Sequence, residues 1–239
     1  MKIPVQRKTV NPIMTETAIP TREKLSRQRV VAAALRVMDA EGLEAVSMRR
    51  VAREVGVEAM SLYHYVADKD DLLDAIVQQV LLDFPTPAGD PETDWRAYGR
   101  EVARAWRTVL KAHPNVLPLL SERKTPTADL DSLVPMETAL RALKASGLSM
   151  PDAVQAFHAM GGFIFGFVLM ESGQLFAAHP GVFDAQALGA ALPADRLPSI
   201  AEALPFLLNC DFDAQFEFGL DLMIEGIAAR AAATRPSAG

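Results

Sequence analysis

An all-α fold is predicted for this chain of 239 residues. Apolar residues recur at helical intervals of three and four along most of the chain, whereas the strict alternation of a half-buried β-strand does not appear. Half of the residues are hydrophobic, and a chain of this length can bury the core of one or two domains. The helical pattern divides into a small amino-terminal unit and a larger second unit.

The two units differ in charge. The whole chain has a formal net charge of −6. Residues 1–69 hold 12 Lys and Arg against 8 Asp and Glu, a net charge of +4, whereas residues 70–239 hold 12 against 22, a net charge of −10. This division allows contact with phosphates at one end of the chain while the rest repels them.

Residues 1–21 are expected to form a flexible arm, because they contain three prolines and no apolar periodicity. Basic residues of the arm could touch DNA, although a tail without such contacts is favoured. From Arg22 to Glu41, an apolar stripe with arginines outside it predicts the first helix. It opens a three-helix unit over residues 22–69.

Two short helices joined by a tight turn follow. Ser47 is a good N-cap for the apolar residues that recur behind it, which predicts a helix from Met48 to Val55. Gly56 is a natural stop, because glycine adopts the left-handed conformation without strain. A second helix is predicted from Glu58 to Tyr65, before Asp68 caps the next one. Such a pair is typical of a helix-turn-helix that reads duplex DNA.

This stretch resembles the DNA-binding end of the tetracycline-repressor (TetR) family of transcription regulators. A helix-turn-helix pattern alone would be weak evidence, because many helical hairpins share it. The resemblance implies a DNA-binding head followed by a larger helical bundle that binds an effector and dimerises. The matching positions are Glu41, Gly42, Leu43, Ser47, Arg49, Val51, Ala52, Val55, Gly56, Val57, Ser61, Leu62, Tyr63, Tyr65, Val66, Lys69, Leu72 and Leu73.

The resemblance and side-chain chemistry together give a set of candidate contacts with DNA. Ser47 and the free amides of its helix can bind a phosphate, and Arg49 can donate two hydrogen bonds to guanine. Arg50 is either a phosphate contact or a solvated charge. In the tetracycline repressors the position of Ala59 carries an amide that reads adenine, so a different operator is expected here. The full set is Ser47, Arg49, Arg50, Ala59, Met60, Ser61, Tyr63, His64, Tyr65 and Lys69.

The second unit, residues 70–239, begins with a connecting helix that extends from Lys69 to Phe84. The resemblance makes this helix, residues 70–84 of the unit, the link between DNA-binding head and effector domain. After a loop rich in Pro, Gly and Ala from His179 to Pro198, a final helix is predicted over residues 216–230. Between them, helices are predicted over Trp95–His113, Asn115–Ser121, Leu133–Ala145 and Pro151–Phe176.

The last two long helices are expected to hold a homodimer together. One apolar stripe of the final segment could by itself be ordinary core. The resemblance favours instead a four-helix interface made from two subunits. The stripe consists of Phe212, Phe216, Leu220, Met223 and Ile227.

A small-molecule pocket is expected where the resembling branch binds its effector. Each of its residues taken singly could equally be core, with one satisfied histidine. The tetracycline-binding members carry an amide at the position of Val102 and an acidic residue at the position of Met170, so a tetracycline–magnesium complex is not expected. A more apolar effector is favoured. The candidate lining residues are Val102, Trp106, Met136, Leu140, Phe157, His158 and Gly162.

Other functions find little support. The four histidines are dispersed, and the chain contains no recognisable metal or catalytic motif, so no metal, cofactor or enzymatic activity is expected. Cys210 is the single cysteine, which favours a reducing compartment. The longest apolar run, Ala159 to Met170, is twelve residues, short of the ~20 that span a bilayer. A soluble, cytoplasmic protein without a membrane role is expected.

The sequence therefore predicts a homodimeric repressor that a small apolar effector releases from a palindromic, double-stranded DNA operator. An activator of the same family is one alternative. The other is an enzyme or ligand carrier whose helical head has no DNA role. Steep loss of DNA binding with rising salt would separate a DNA reader from this last class.

Overall fold

The computed structural model describes residues 24–122, 130–173, 192–193, 195–207 and 211–234, and every regular element in these segments is helical. The predicted all-α fold is confirmed. The predicted arm, Cys210 and most of the loop between His179 and Pro198 lie outside the described residues. The α-helices are α1 (Arg27–Glu41), α2 (Met48–Val55), α3 (Ala59–Leu62), α4 (Lys69–Leu82), α5 (Trp95–Ala112), α6 (Leu117–Glu122), α7 (Val134–Ala145), α8 (Met150–Glu171), α9 (Pro198–Leu207) and α10 (Phe212–Thr234).

Helix caps explain where the first two helices begin and end. Helix α1 begins five residues later than predicted, because the Ser26 hydroxyl accepts a hydrogen bond from the Arg29 amide at 3.2 Å. Helix α2 has the predicted bounds. The Ser47 hydroxyl accepts from the Arg50 amide at 3.2 Å, and Gly56 ends the helix in the left-handed conformation, with φ of 75°.

Helix α3 is shorter than predicted, with four residues rather than a helix that continues to Tyr65. After Leu62 the chain turns, and the Leu62 carbonyl accepts from the amides of Tyr65 at 2.8 Å and Val66 at 3.1 Å. The turn brings Val66 into the core. Burial of this apolar residue thus overrides the helical pattern of the sequence.

The amino-terminal unit, called the head below, is built on α1, which packs against both α2 and α4. Its core is a single apolar cluster to which each of these helices contributes. Besides α4, which opens the second unit, two residues from later in that unit, Val116 and Leu119, also belong to this cluster and are equally buried. The head and the second unit therefore share one hydrophobic core at their junction.

The second unit packs α5, α7 and α8 against one another, with α10 along α5 and α8. Its core contains an aromatic cluster in which Phe84 stacks on Trp106 with ring centroids 4.9 Å apart. By length and composition alone, α8 could span a bilayer. In the fold one face of it packs on α5, α7 and α10, and 22% of its most apolar window is buried within the subunit.

Two predictions about the end of the chain need correction. Phe216, Leu220 and Ile227, assigned to the dimer stripe, are buried within the subunit. The large apolar residues exposed on α10 are Phe218 and Leu222, on another face. Helix α9 was not predicted, and no residue of it is buried.

Candidate DNA-binding face and effector cavity

The short helix α3 presents large side chains to solvent. The side chain of Met60 is 74% exposed and that of Tyr63 is 46% exposed. Leu62 lies between them and is buried in the head, which anchors the helix. Ser61 is half-buried. These side chains can meet a groove of DNA without any rearrangement of the core.

Arg49 and Arg50 are neighbours in the first turn of α2 but have different surroundings. Arg49 is exposed and makes no hydrogen bond or ion pair within the described segments. The Arg50 guanidinium donates to Glu41 at 2.9 Å through Nε and to Glu54 at 3.0 Å through Nη1. The hydrogen bond from Arg50 lowers the pKa of the Glu41 carboxyl below its ordinary value. Arg50 thus ties α2 to the end of α1, a structural role besides the two considered for it.

The remaining candidate contacts surround this face. Ser47, His64 and Lys69 are exposed, and Lys69 opens α4 immediately after its N-cap Asp68. Ala59 and Tyr65 are half-buried and pack on the head core. Packing leaves these last two less able to reach DNA than the exposed residues.

The second unit encloses an apolar cavity between α5, α7, α8 and α10. The cavity has a volume of about 40 Å³, far less than a drug-sized ligand occupies. Among the described residues of the lining, two tryptophan indoles supply the only side-chain N–H groups, and none of these residues is charged. The lining residues are Trp95, Gly99, Val102, Trp106, Ala139, Ala142, Leu143, Phe157, Met160, Gly161, Ile164, Ile224 and Ile227.

Beside the cavity, a buried arginine joins three helices. Arg107 of α5 donates to the two oxygens of Glu171 on α8 at 3.0 and 2.8 Å, and pairs with Asp213 of α10 at 2.8 Å. Its guanidinium lies 4.7 Å from the centre of the Phe216 ring. Glu171, the acidic residue at the end of α8, is therefore already paired with a cationic side chain of the same protein.

Family models match both units of the chain. Residues 30–76 match that of the bacterial regulatory proteins of the tetR family, and residues 86–231 match that of the tetracyclin repressor-like C-terminal domain. The chain belongs to the TetR family. It is a DNA-binding transcriptional regulator with a ligand-binding domain, and the alternatives of an enzyme or a ligand carrier without a DNA role are set aside.

Individual TetR-family relatives match over most of the chain. The HTH-type transcriptional repressor DrrR1 of Streptomyces coeruleorubidus is 34% identical over 211 residues, which cover 85% of this chain and 77% of the relative. The tetracycline repressor protein class D of Escherichia coli is 27% identical and covers 85% of this chain and 89% of its own. The structure of apo ActR from Streptomyces coelicolor has a TM-score of 0.74 at 30% identity, covering 88% and 98% of the two chains.

The cavity of this TetR-family chain contains some but not all of the predicted effector residues. Val102, Trp106 and Phe157 line it. The others do not. Leu140, His158 and Gly162 each stand one residue from a lining residue, and one residue along a helix turns the side chain by about 100°. Gly161 lines the cavity in place of Gly162, which is exposed. The remaining predicted residues outside the lining are Met136, Leu140 and His158.

Sequence reasoning missed Trp95 and Gly99, although a signal was available. They continue the helical stripe of Val102 and Trp106 toward the start of α5, at spacings of three and four. The contributions of α10, Ile224 and Ile227, gave no such signal. They enter the lining because α10 packs back onto α5 over a long sequence separation.

Proposed function

We propose that the protein is a cytoplasmic, homodimeric repressor whose two heads bind a palindromic operator and are released by a small apolar effector. The observation that carries the proposal is the exposed face of α2 and α3. It presents Arg49, Met60 and Tyr63 outward on a head that shares its core with the effector domain. Two such faces, one on each protomer, suit successive major grooves about 34–36 Å apart.

The outer faces of α8 and α10 support the proposed dimer. Phe218 and Leu222 lie one turn apart on α10 and are 68% and 61% exposed. A contiguous apolar patch of this kind on the surface of a subunit marks an interaction site. On α8, Gly162 and Gly166 have open space where a Cβ would stand. A second copy can therefore approach this helix closely, and the pair of helices from each protomer forms a four-helix interface.

The lining of the cavity supports an uncharged, apolar effector. A charged ligand would lose its hydration there and find no partner of opposite charge. The relative ActR has been solved with actinorhodin bound, at 31% identity and a TM-score of 0.72. Any ligand larger than a few atoms must widen the present cavity. The effector then favours a wider conformation, and release follows if that conformation binds DNA less tightly. Near-complete release requires several kcal/mol of discrimination between the two conformations.

The side chains on the exposed face of α2 and α3 make different kinds of contact with DNA. Arg49 reads a base in the major groove, while Ser47, Ser61, Tyr63 and Lys69 hold phosphates. Met60 makes apolar contact with the methyl group of thymine. Arg50 acts indirectly, through its ion pairs with Glu41 and Glu54.

The test is selection of bound duplexes from a random-sequence pool, followed by titration of Arg49→Ala and a control. Arg49→Ala should lose about 1–3 kcal/mol of discrimination at one base pair of each half-site. Arg36→Ala removes the same charge from an exposed ion pair with Glu54 and should keep base preference. Unchanged selectivity in Arg49→Ala would contradict the groove role, and failure of the wild-type protein to select any sequence would contradict the function.

A further inference from the structure

The carboxyl end of α1 is held by side chains from the second unit. The Asn115 amide nitrogen donates to the Met38 carbonyl at 2.9 Å, and His113 Nδ1 lies 2.9 Å from Asp39 Oδ2, the carboxylate accepting. Both donors lie in the turn between α5 and α6. The last carbonyls of a helix have no partner within the helix. Here the Met38 carbonyl accepts from the capping Gly42 amide at 2.8 Å, and Asn115 of the effector domain adds a second hydrogen bond to the same oxygen.

Burial makes this junction specific in geometry. The other carboxylate oxygen of Asp39 is buried and accepts no hydrogen bond within the described part of the chain. His113 is therefore the side chain that partners the half-buried Asp39 carboxylate. Val116 and Leu119 follow directly and fill the head core. Apolar packing resists separation of the two units, and directional hydrogen bonds resist their rotation.

The same turn is connected rigidly to the cavity. Helix α5 places Gly99, Val102 and Trp106 in the cavity wall and ends at Ala112, one residue before His113. From Trp106 to His113 the helix advances about 10 Å. A helix this short moves as one body, so a displacement of α5 at the cavity also displaces the two donors.

We propose that His113 and Asn115 are positioning residues that fix the orientation of the DNA-binding head on the effector domain. They touch neither DNA nor effector and act through the end of α1. In a dimer, this orientation sets the distance between the two heads and thus the half-site spacing that the protein accepts. The inference rests on the proposed binding of a palindromic operator by a dimer.

The experiment measures how strictly the protein requires one spacing. A duplex selected by the wild-type protein is compared with the same duplex carrying two extra base pairs between its half-sites, and with a single half-site. Engagement of the second head adds avidity, so the insertion should weaken wild-type binding about 100-fold. In Asn115→Ala this loss should fall to about tenfold or less, with unchanged affinity for the single half-site.

Two further variants separate positioning from simple loss of stability. The double variant Asp39→Ala/His113→Ala removes both partners together, so no half-buried carboxylate is left without its partner, and it should also tolerate the insertion. Ser26→Ala removes a hydrogen bond at the other end of α1, within the head. In this variant the two inserted base pairs should weaken binding as much as they do in the wild type.

The possible outcomes test the positioning role and the proposed dimeric recognition separately. If Asn115→Ala and the double variant keep the wild-type spacing requirement, or if Ser26→Ala relaxes it equally, the positioning role is overturned. If the wild-type protein shows no spacing requirement at all, the proposed dimeric recognition fails, and the positioning role fails with it.

Discussion

Arg107 is a buried cation with a complete set of partners. Its side chain is 10% exposed, its guanidinium is paired with Glu171 and Asp213, and two phenylalanine rings lie within 5.4 Å of it. A buried ion pair adds little stability over an apolar pair, but loss of one partner leaves a costly unpaired charge. We therefore expect this cluster to hold α5, α8 and α10 in one arrangement.

The carboxyl of Glu171 leads to a pH-dependent prediction. Burial raises its pKa, but hydrogen bonds from Arg107 and Lys111 lower the pKa by more, and the net value lies below the ordinary one. A lowered pKa contributes stability above the unfolded-state pKa of about 4.3 and loses it as pH falls through the folded-state value. Glu171→Gln should cost about 2–3 kcal/mol at pH 7, and the difference should shrink toward pH 3.

Urea unfolding of both proteins between pH 7 and pH 3 measures this difference. Glu101→Gln, an exposed residue of α5, serves as the control and should leave stability nearly unchanged. A Glu171→Gln difference that stays constant over the whole range would contradict the assigned ion pair.

At the scale of single residues, the sequence predicted the helix caps more accurately than the ion-pair partners of charged side chains. Ser47 and Asp68 cap their helices as expected, because an N-cap depends on neighbours in the chain. The sequence did not show that Arg49 is exposed whereas Arg50 forms ion pairs. The partner of Arg50 is Glu41 of the preceding helix, and the turn between α1 and α2 brings the two together.

Whole helices were predicted well where a capping residue marks their start. Helix α8 was found to within a few residues at its start, since Ser149 caps it and a proline stands in its first turn. The face of α10 was assigned wrongly, because apolar residues lie on more than one side of it. Periodicity cannot tell which of two apolar faces meets the subunit's own core and which remains outside.

Two helical glycines should respond oppositely to the same substitution. A Cβ at Gly161 would meet no atom within 4 Å, whereas one at Gly219 would lie 2.6 Å from Phe163 Cε2. The Phe163 ring cannot easily move aside, because it stacks on Phe216 at 5.3 Å. Gly161→Ala should gain about 0.5–1 kcal/mol from helix propensity, and Gly219→Ala should lose about 1–3 kcal/mol from overpacking.

Thermal or urea unfolding of the two alanine variants gives the comparison directly. Each serves as the control for the other, since both exchange glycine for alanine inside a long helix. A loss of stability in Gly161→Ala would show that the space beside Gly161 is not open, and a gain in Gly219→Ala would show that the Phe163 ring moves aside.

At the scale of the whole molecule, the exposed face of α10 makes assembly testable. Leu222→Glu places a charge where the second copy is proposed to pack, and should convert a dimer into a monomer with an intact fold. Leu130→Glu makes the same change at a side chain that is 73% exposed, in the short turn Leu130–Leu133 that packs on α4 and α7, and should remain dimeric. Sedimentation equilibrium distinguishes the two, and a dimeric Leu222→Glu protein would contradict the proposed interface.

The shared core at the junction also limits how modular the protein is. The family model for the head ends at residue 76, yet Val116 and Leu119 complete the apolar cluster of that head. In a chimera that takes only residues up to 76 from a relative, the core of the foreign head would pack against Val116 and Leu119 of this chain, which do not match it. Exchange of operator specificity between such regulators should therefore transfer residues 113–120 along with the head.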